Sequence, residues 1–128
     1  MKTILILGVL LMATPLAAKT PVKPLPGIGN KETIIPYAEI RRSFPGHGDV
    51  AFVQDRGNQW YRVQFNQGCL AGITQLNSVI YRRQGVGSQI DRFTTVIIGG
   101  GAKTCTIRSI RSSKPPPQVD PKSPVTLE

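Results

Sequence analysis

Polar and apolar residues alternate most cleanly between Gln59 and Phe65. Tyr61, Val63 and Phe65 fall on one face of an extended chain there, and Trp60, Arg62 and Gln64 on the other, because successive side chains of a strand point to opposite sides. Asn66-Gln67-Gly68 ends this strand and delivers Cys69. Upstream, Val50–Gln54 predicts a second strand. Asp55-Arg56-Gly57-Asn58 between them has hairpin chemistry, since Gly57 and Asn58 tolerate positive φ. Tyr37–Arg42 predicts a weaker strand, set off by the turn cluster Pro45-Gly46-His47-Gly48. Beyond Cys69 the pattern loosens. Leu76–Tyr81 reads as a strand with Leu76, Ser78 and Ile80 on one side, and Gln84–Ile90, with two glycines, as a loop. Phe93–Ile98 is β-branched and apolar, which predicts a core strand. Gly99-Gly100-Gly101 breaks it. Thr104–Ile110 then sets Thr104, Thr106, Arg108 and Ile110 opposite Cys105, Ile107 and Ser109. No stretch keeps a helical period over an adequate length. The expected fold is all-β, a small antiparallel barrel or sandwich of about six short strands.

The ends of the chain look different. Met1–Ala18 reads as a secretory signal peptide: Lys2 supplies the positive start, Ile4–Met12 an apolar run, and Leu16-Ala17-Ala18 a small-residue end. The run is too short to span a bilayer, which takes about 20 apolar residues, so no transmembrane helix is expected in the mature chain. With no cysteine near this end, a lipid anchor is disfavoured. Residues 19–34 hold Pro21, Pro24 and Pro26 with Gly27 and Gly29 and predict a linker. Residues 112–128 hold five prolines, three of them consecutive at Pro115-Pro116-Pro117, and predict a disordered tail of polyproline character. That leaves residues 35–111 as the β domain. The expected location is periplasmic or secreted.

At 128 residues, with 40% apolar and 6% aromatic residues, the chain has material for one small core. Two packed domains, a long helical bundle and a polytopic membrane protein are excluded. The cysteine pair agrees with export. Cys69 and Cys105 are the only two, and an even count in a small exported domain predicts a disulfide. Closing that loop contributes about 3 to 4 kcal/mol by chain entropy. A metal site is the rival reading, but it needs two more ligands and the chain has one histidine.

Sixteen Lys and Arg against seven Asp and Glu give a net charge of +9. The stretch Tyr37–Ser112 carries nine arginines, Lys103, and only Glu39, Asp49, Asp55 and Asp91, for a net +6. A basic surface attracts anions, and arginine suits bidentate contact with carboxylate or phosphate. Export argues against nucleic acid, so the expected partner is an acidic envelope component or a protein.

Chemical motifs are scarce. Gly99-Gly100-Gly101-Ala102-Lys103-Thr104 lacks phosphate-loop spacing and is followed by no helix pattern; Gly85-Val86-Gly87 lacks the third glycine of a dinucleotide fingerprint. Both read as turns. His47, between Gly46 and Gly48, reads as an exposed loop residue rather than a catalytic base. Glu39, Asp49, Asp55 and Asp91, each near an arginine, read as ion-pair partners. No catalytic residue, metal site or cofactor is expected. Trp60, Tyr61, Arg62 and Arg82 are the binding candidates, because an arginine beside an aromatic can lie over the ring and still present its donors to an anion.

Several strings together resemble a known family. Ile35-Pro36-Tyr37-Ala38, Ile40-Arg41, Gln54-Asp55-Arg56 and Gln59-Trp60-Tyr61 lead to Cys69. Ile90-Asp91-Arg92-Phe93-Thr94-Thr95-Val96-Ile97 leads to Cys105-Thr106-Ile107. This is similar to small exported bacterial proteins catalogued as domain of unknown function 6491, over about Ile35 to Arg111. The resemblance implies export and a basic or proline-bearing tail, and it assigns no residue a role. Ser43 stands where the family tends to carry tryptophan, and Phe44 follows it. The expected function is therefore a non-catalytic exported β domain that binds an anionic envelope component or a protein. A purely structural accessory domain and an enzyme with an unrecognised site are the alternatives.

Overall fold

The computed structural model describes residues 8, 23–76, 79–82, 87 and 89–128. Apart from Gly8 the expected leader lies outside them. So do residues 19–22, 77, 78, 83–86 and 88, which include Ser78 and most of the expected glycine loop. Seven antiparallel strands form one curled, half-barrel sheet, with no helix among the described residues. The strands are β1 (Ile28–Glu32), β2 (Ile40–Pro45), β3 (Val50–Asp55), β4 (Trp60–Phe65), β5 (Val79–Arg82), β6 (Thr95–Ile98) and β7 (Lys103–Ser113). They run in the order β2-β3-β4-β7-β6-β5. The long β7 pairs with β4 along residues 107–113, with β6 along 103–106, and with β1 at Ser113 and Arg111.

The main core lies on one face of this sheet. Tyr61, Val63 and Phe65 of β4 join Ala51, Val53, Val96, Ile98, Cys105, Ile107 and Ile110 there, as the alternation of β4 predicts. The hairpin between β3 and β4 turns at Asn58, whose φ is +65°. Cys69 and Cys105 are disulfide-bonded, with Cα atoms 5.8 Å apart. The bridge ties the turn after β4 to the first half of β7.

Two strand assignments need correction. Ile107 and Ile110 were expected on opposite faces, yet both enter the core. The pairing steps from Gln64↔Ser109 to Phe65↔Ile107, so Arg108 is an extra residue on β7. Such a bulge resets which face later side chains take. Phe93 was expected in a core strand; it is 77% exposed. β6 starts only at Thr95, because Asp91 turns the chain first. Its carboxylate accepts the Phe93 N–H at 2.9 Å, and the Thr94 hydroxyl accepts the Asp91 N–H at 3.0 Å.

The flanking segments differ most from expectation. Part of the expected linker forms β1, and the expected disordered tail is ordered against the sheet. Val125, Leu127 and Val119 pack with Leu25 and Ile28 over Val50, Phe52, Phe44 and Trp60, on the face opposite the main core. Pro116 is fully buried. The Gln118 side chain donates to the Pro45 carbonyl at 3.1 Å, and the Lys114 N–H donates to the Gly27 carbonyl at 2.9 Å. The segment passes so close that a Cβ at Gly46 would lie 2.7 Å from the Leu127 carbonyl oxygen. The cause is readable in β3: Val50-Ala51-Phe52-Val53 is apolar on both faces, so both need cover. Prolines already restrict the free chain, so ordering a proline-rich segment costs less entropy than ordering an average one.

Candidate functional site

The candidates Trp60, Tyr61 and Arg62 are not on the surface. Trp60 is 4% exposed and lies under the C-terminal segment, its ring centroid 6.0 Å from that of Phe44. Tyr61 faces the main core. Its phenol pKa is pushed up, first by burial and then by the neighbouring Asp55 carboxylate, which also accepts its hydrogen bond. Arg62 is 8% exposed and donates from Nε to the Glu128 carbonyl at 3.0 Å. Directly opposite it across the strand pair sits Arg111, equally buried, whose Nε donates to the Gly29 carbonyl at 2.6 Å. Desolvation lowers the pKa of both guanidinium groups, and at Arg62 the Arg111 charge lowers it further. These two arginines hold β1 and the C-terminal segment to the sheet. Arg82 is exposed on β5.

The arginine–aromatic pairs that do form are different ones. The Arg42 guanidinium lies 5.3 Å from the centroid of Trp60, and Arg56 lies 4.8 Å from that of Tyr37. Arg42 follows from strand geometry, because a bulge at Arg41 puts Arg42 and Phe44 on the face that carries Trp60. The acids also differ from expectation. Of the four, Glu39 pairs with arginine (Arg56, at 3.8 Å). The three aspartates instead accept backbone N–H groups of turns: Asp49 from Gly68 and Leu70, Asp55 from Gly57 and Gln59, Asp91 from Phe93. At Asp55 and Asp91 a short carboxylate two to four residues from a turn N–H meets it more readily than a long arginine side chain; Asp49 reaches the turn after β4 because its own carbonyl accepts the Phe65 N–H at the end of that strand. His47 is exposed in the turn before β3, where its N–H donates to the Leu127 carbonyl.

The curl of the sheet creates a groove that no single segment announces. The two ends of the strand path, β2 and β5, come to opposite sides of an opening of about 580 Å³. All six residues of β2 line it, with Thr74, Gln75 and Leu76 along one side and Val79 and Tyr81 from β5. Ile40, Leu76, Val79 and Tyr81 are also part of, or packed against, the main core, so the base of the groove is apolar. Burial raises the Tyr81 phenol pKa and keeps it neutral. Arg41 and Arg42 are the charged residues of the lining. Both are held in place: Arg41 Nη1 donates to Asn58 Oδ1 at 2.7 Å, and Arg42 Nε to Gln54 Oε1 at 3.1 Å. The arginine doublet is visible in the sequence, but its relation to β5 depends on closure of the sheet.

Among the described residues no three His, Cys, Asp or Glu side chains are grouped to hold a metal ion. No described helix is long and apolar enough to cross a membrane. No family model, curated protein or solved structure matches the chain.

Proposed function

We propose that this protein is an exported, non-catalytic β domain that binds an acidic envelope component or protein through the groove between β2 and β5. The observation that carries the reading is the lining of that groove. Arg41 and Arg42 line an opening that has an apolar base and no carboxylate among its lining residues, with Arg41 held at Asn58 and Arg42 over Trp60 on the face of β2 away from that base. A cation fixed by its own hydrogen bonds loses little freedom when it meets an anion, and the net charge, +9 for the full chain and +8 without Lys2 of the leader, draws anions toward it. Export is supported by the Cys69–Cys105 disulfide, which persists in oxidising compartments. The leader pattern of Met1–Ala18 and the resemblance to domain of unknown function 6491 support it as well.

The test is binding to anionic vesicles, lipopolysaccharide, acidic glycans and polyglutamate at low and physiological salt, with Arg41→Ala and Arg42→Ala alongside. Binding should weaken as salt rises, because exposed charges more than about 8 Å apart are screened at physiological ionic strength. Each substitution should remove about 0.2 to 1 kcal/mol. Arg62→Ala is a control for folding rather than for binding, since Arg62 is buried. If no anionic ligand binds even at low salt, the reading fails and a structural accessory role takes its place.

A further inference from the structure

The walls of the groove are strand edges. Among the described residues β2 is hydrogen-bonded to β3 on one side, β5 to β6 on one side, and the strand path ends at each. An edge strand presents a row of unpaired backbone N–H and C=O groups. Here one edge lies on each side of the same opening. β2 has six residues, a length of about 20 Å at strand spacing. We propose that an extended acidic segment of a partner protein adds as a strand along β2 and fills the seam toward β5, completing the half-barrel. This rests on the reading that the groove takes an acidic partner, and it names the kind of partner and how it is held.

Backbone edges select a polypeptide. An acyl chain or a glycan carries no N–H and C=O repeating at strand spacing, whereas an added peptide strand satisfies the edge and places alternate side chains in pockets. The seam then defines the partner's pattern. Residues pointing inward meet Ile40, Leu76 and Val79, which are apolar. Residues of the alternate set point to the other face, where Arg42 lies over Trp60, and pass Arg41 at the bulge. The matching segment alternates apolar residues with Glu or Asp over about six positions. A second copy of this chain is a poor occupant. Its own β2 would bring two further arginines against these two, and a bulge with edge cations is a common guard against self-pairing.

The test uses the disulfide-bonded protein and a pool of blocked hexapeptides in which Val, Leu, Ile or Phe alternates with Glu. Two N-methylated versions of the pool, one for each alternate set of backbone nitrogens, remove half of the strand donors each. A pool with Lys in place of Glu and anionic phosphatidylglycerol vesicles complete the set. The Glu pool should bind and slow amide exchange along β2. One of the two N-methylated pools should bind about tenfold more weakly, as expected for lost backbone hydrogen bonds. Arg41→Glu should shift preference from the Glu pool toward the Lys pool. Strand addition is overturned if both N-methylated pools bind as well as the parent, if β2 exchange does not change, or if no peptide binds. Vesicle binding without peptide binding would leave the acidic-partner reading standing and reject only the strand. Failure of both would reject both. Concentration-dependent dimerisation that protects β2 without any peptide would assign the seam to a second copy instead.

Discussion

Docking of the C-terminal segment can be read through a single buried side chain. Val125 is 2% exposed and shares a cluster with Phe52 and Trp60. Val125→Ala removes two methyl groups from that contact. At about 0.8 kcal/mol for each buried carbon the transfer loss is about 1.6 kcal/mol, and incomplete collapse of the cavity brings it to about 2 kcal/mol. At a typical unfolding entropy per residue, the melting temperature should fall by about 10 °C. The loss has a ceiling: it cannot exceed the free energy with which the segment docks, because beyond that point the segment lifts off and the sheet remains. Val125→Asp measures this ceiling, since an unpaired buried carboxylate costs more than the segment can hold. Trp60 is the only tryptophan and lies under the segment, so its emission reports on the contact directly. Val125→Asp should move Trp60 emission to the red and open it to acrylamide quenching. A melting temperature within about a degree of the parent in both variants, with unchanged emission, would refute the docking and return residues 114–128 to a disordered spacer.

Other outcomes follow from the same structure. Replacing both cysteines with serine should cost about 2 to 5 kcal/mol in chemical denaturation, and unreduced mass spectrometry of the native protein should show both thiols oxidised. Stability should fall as pH rises above about 10, where tyrosines of the unfolded chain ionise. Tyr61 and Tyr81 have raised pKa values when folded, so their contribution is complete below the unfolded value and lost above it. Tyr81→Phe should flatten that alkaline limb, and an unchanged limb would contradict burial of the phenol. Phe93→Ser should leave stability within about 0.5 kcal/mol, because Phe93 is exposed; a loss typical of a core residue would mean that β6 begins earlier.

The sequence alone determined the parts that depend on neighbours along the chain. The two faces of β4, the hairpin at Asn58, the turn at Gly99-Gly100-Gly101 and the all-β class follow from alternation and turn chemistry, which act over a few residues. The disulfide follows from there being two cysteines and no third. The sequence also carries a signal for the docked ends: four consecutive apolar residues in β3 require cover on both faces, and β4 carries Trp60 on the second face. That cover had to come from the flanking segments, whatever their proline content. Tertiary structure decided the rest. The Arg108 bulge lies in the pairing of β7 with β4, a strand about 40 positions earlier, so Ile110 changes face although its local pattern does not. Trp60, Arg62 and Arg111 are buried by segments more than 60 positions away in some cases, which no local period encodes. The groove is the clearest example. β2 and β5 are each ordinary edge strands, and they become two walls of one opening only when the sheet between them curls.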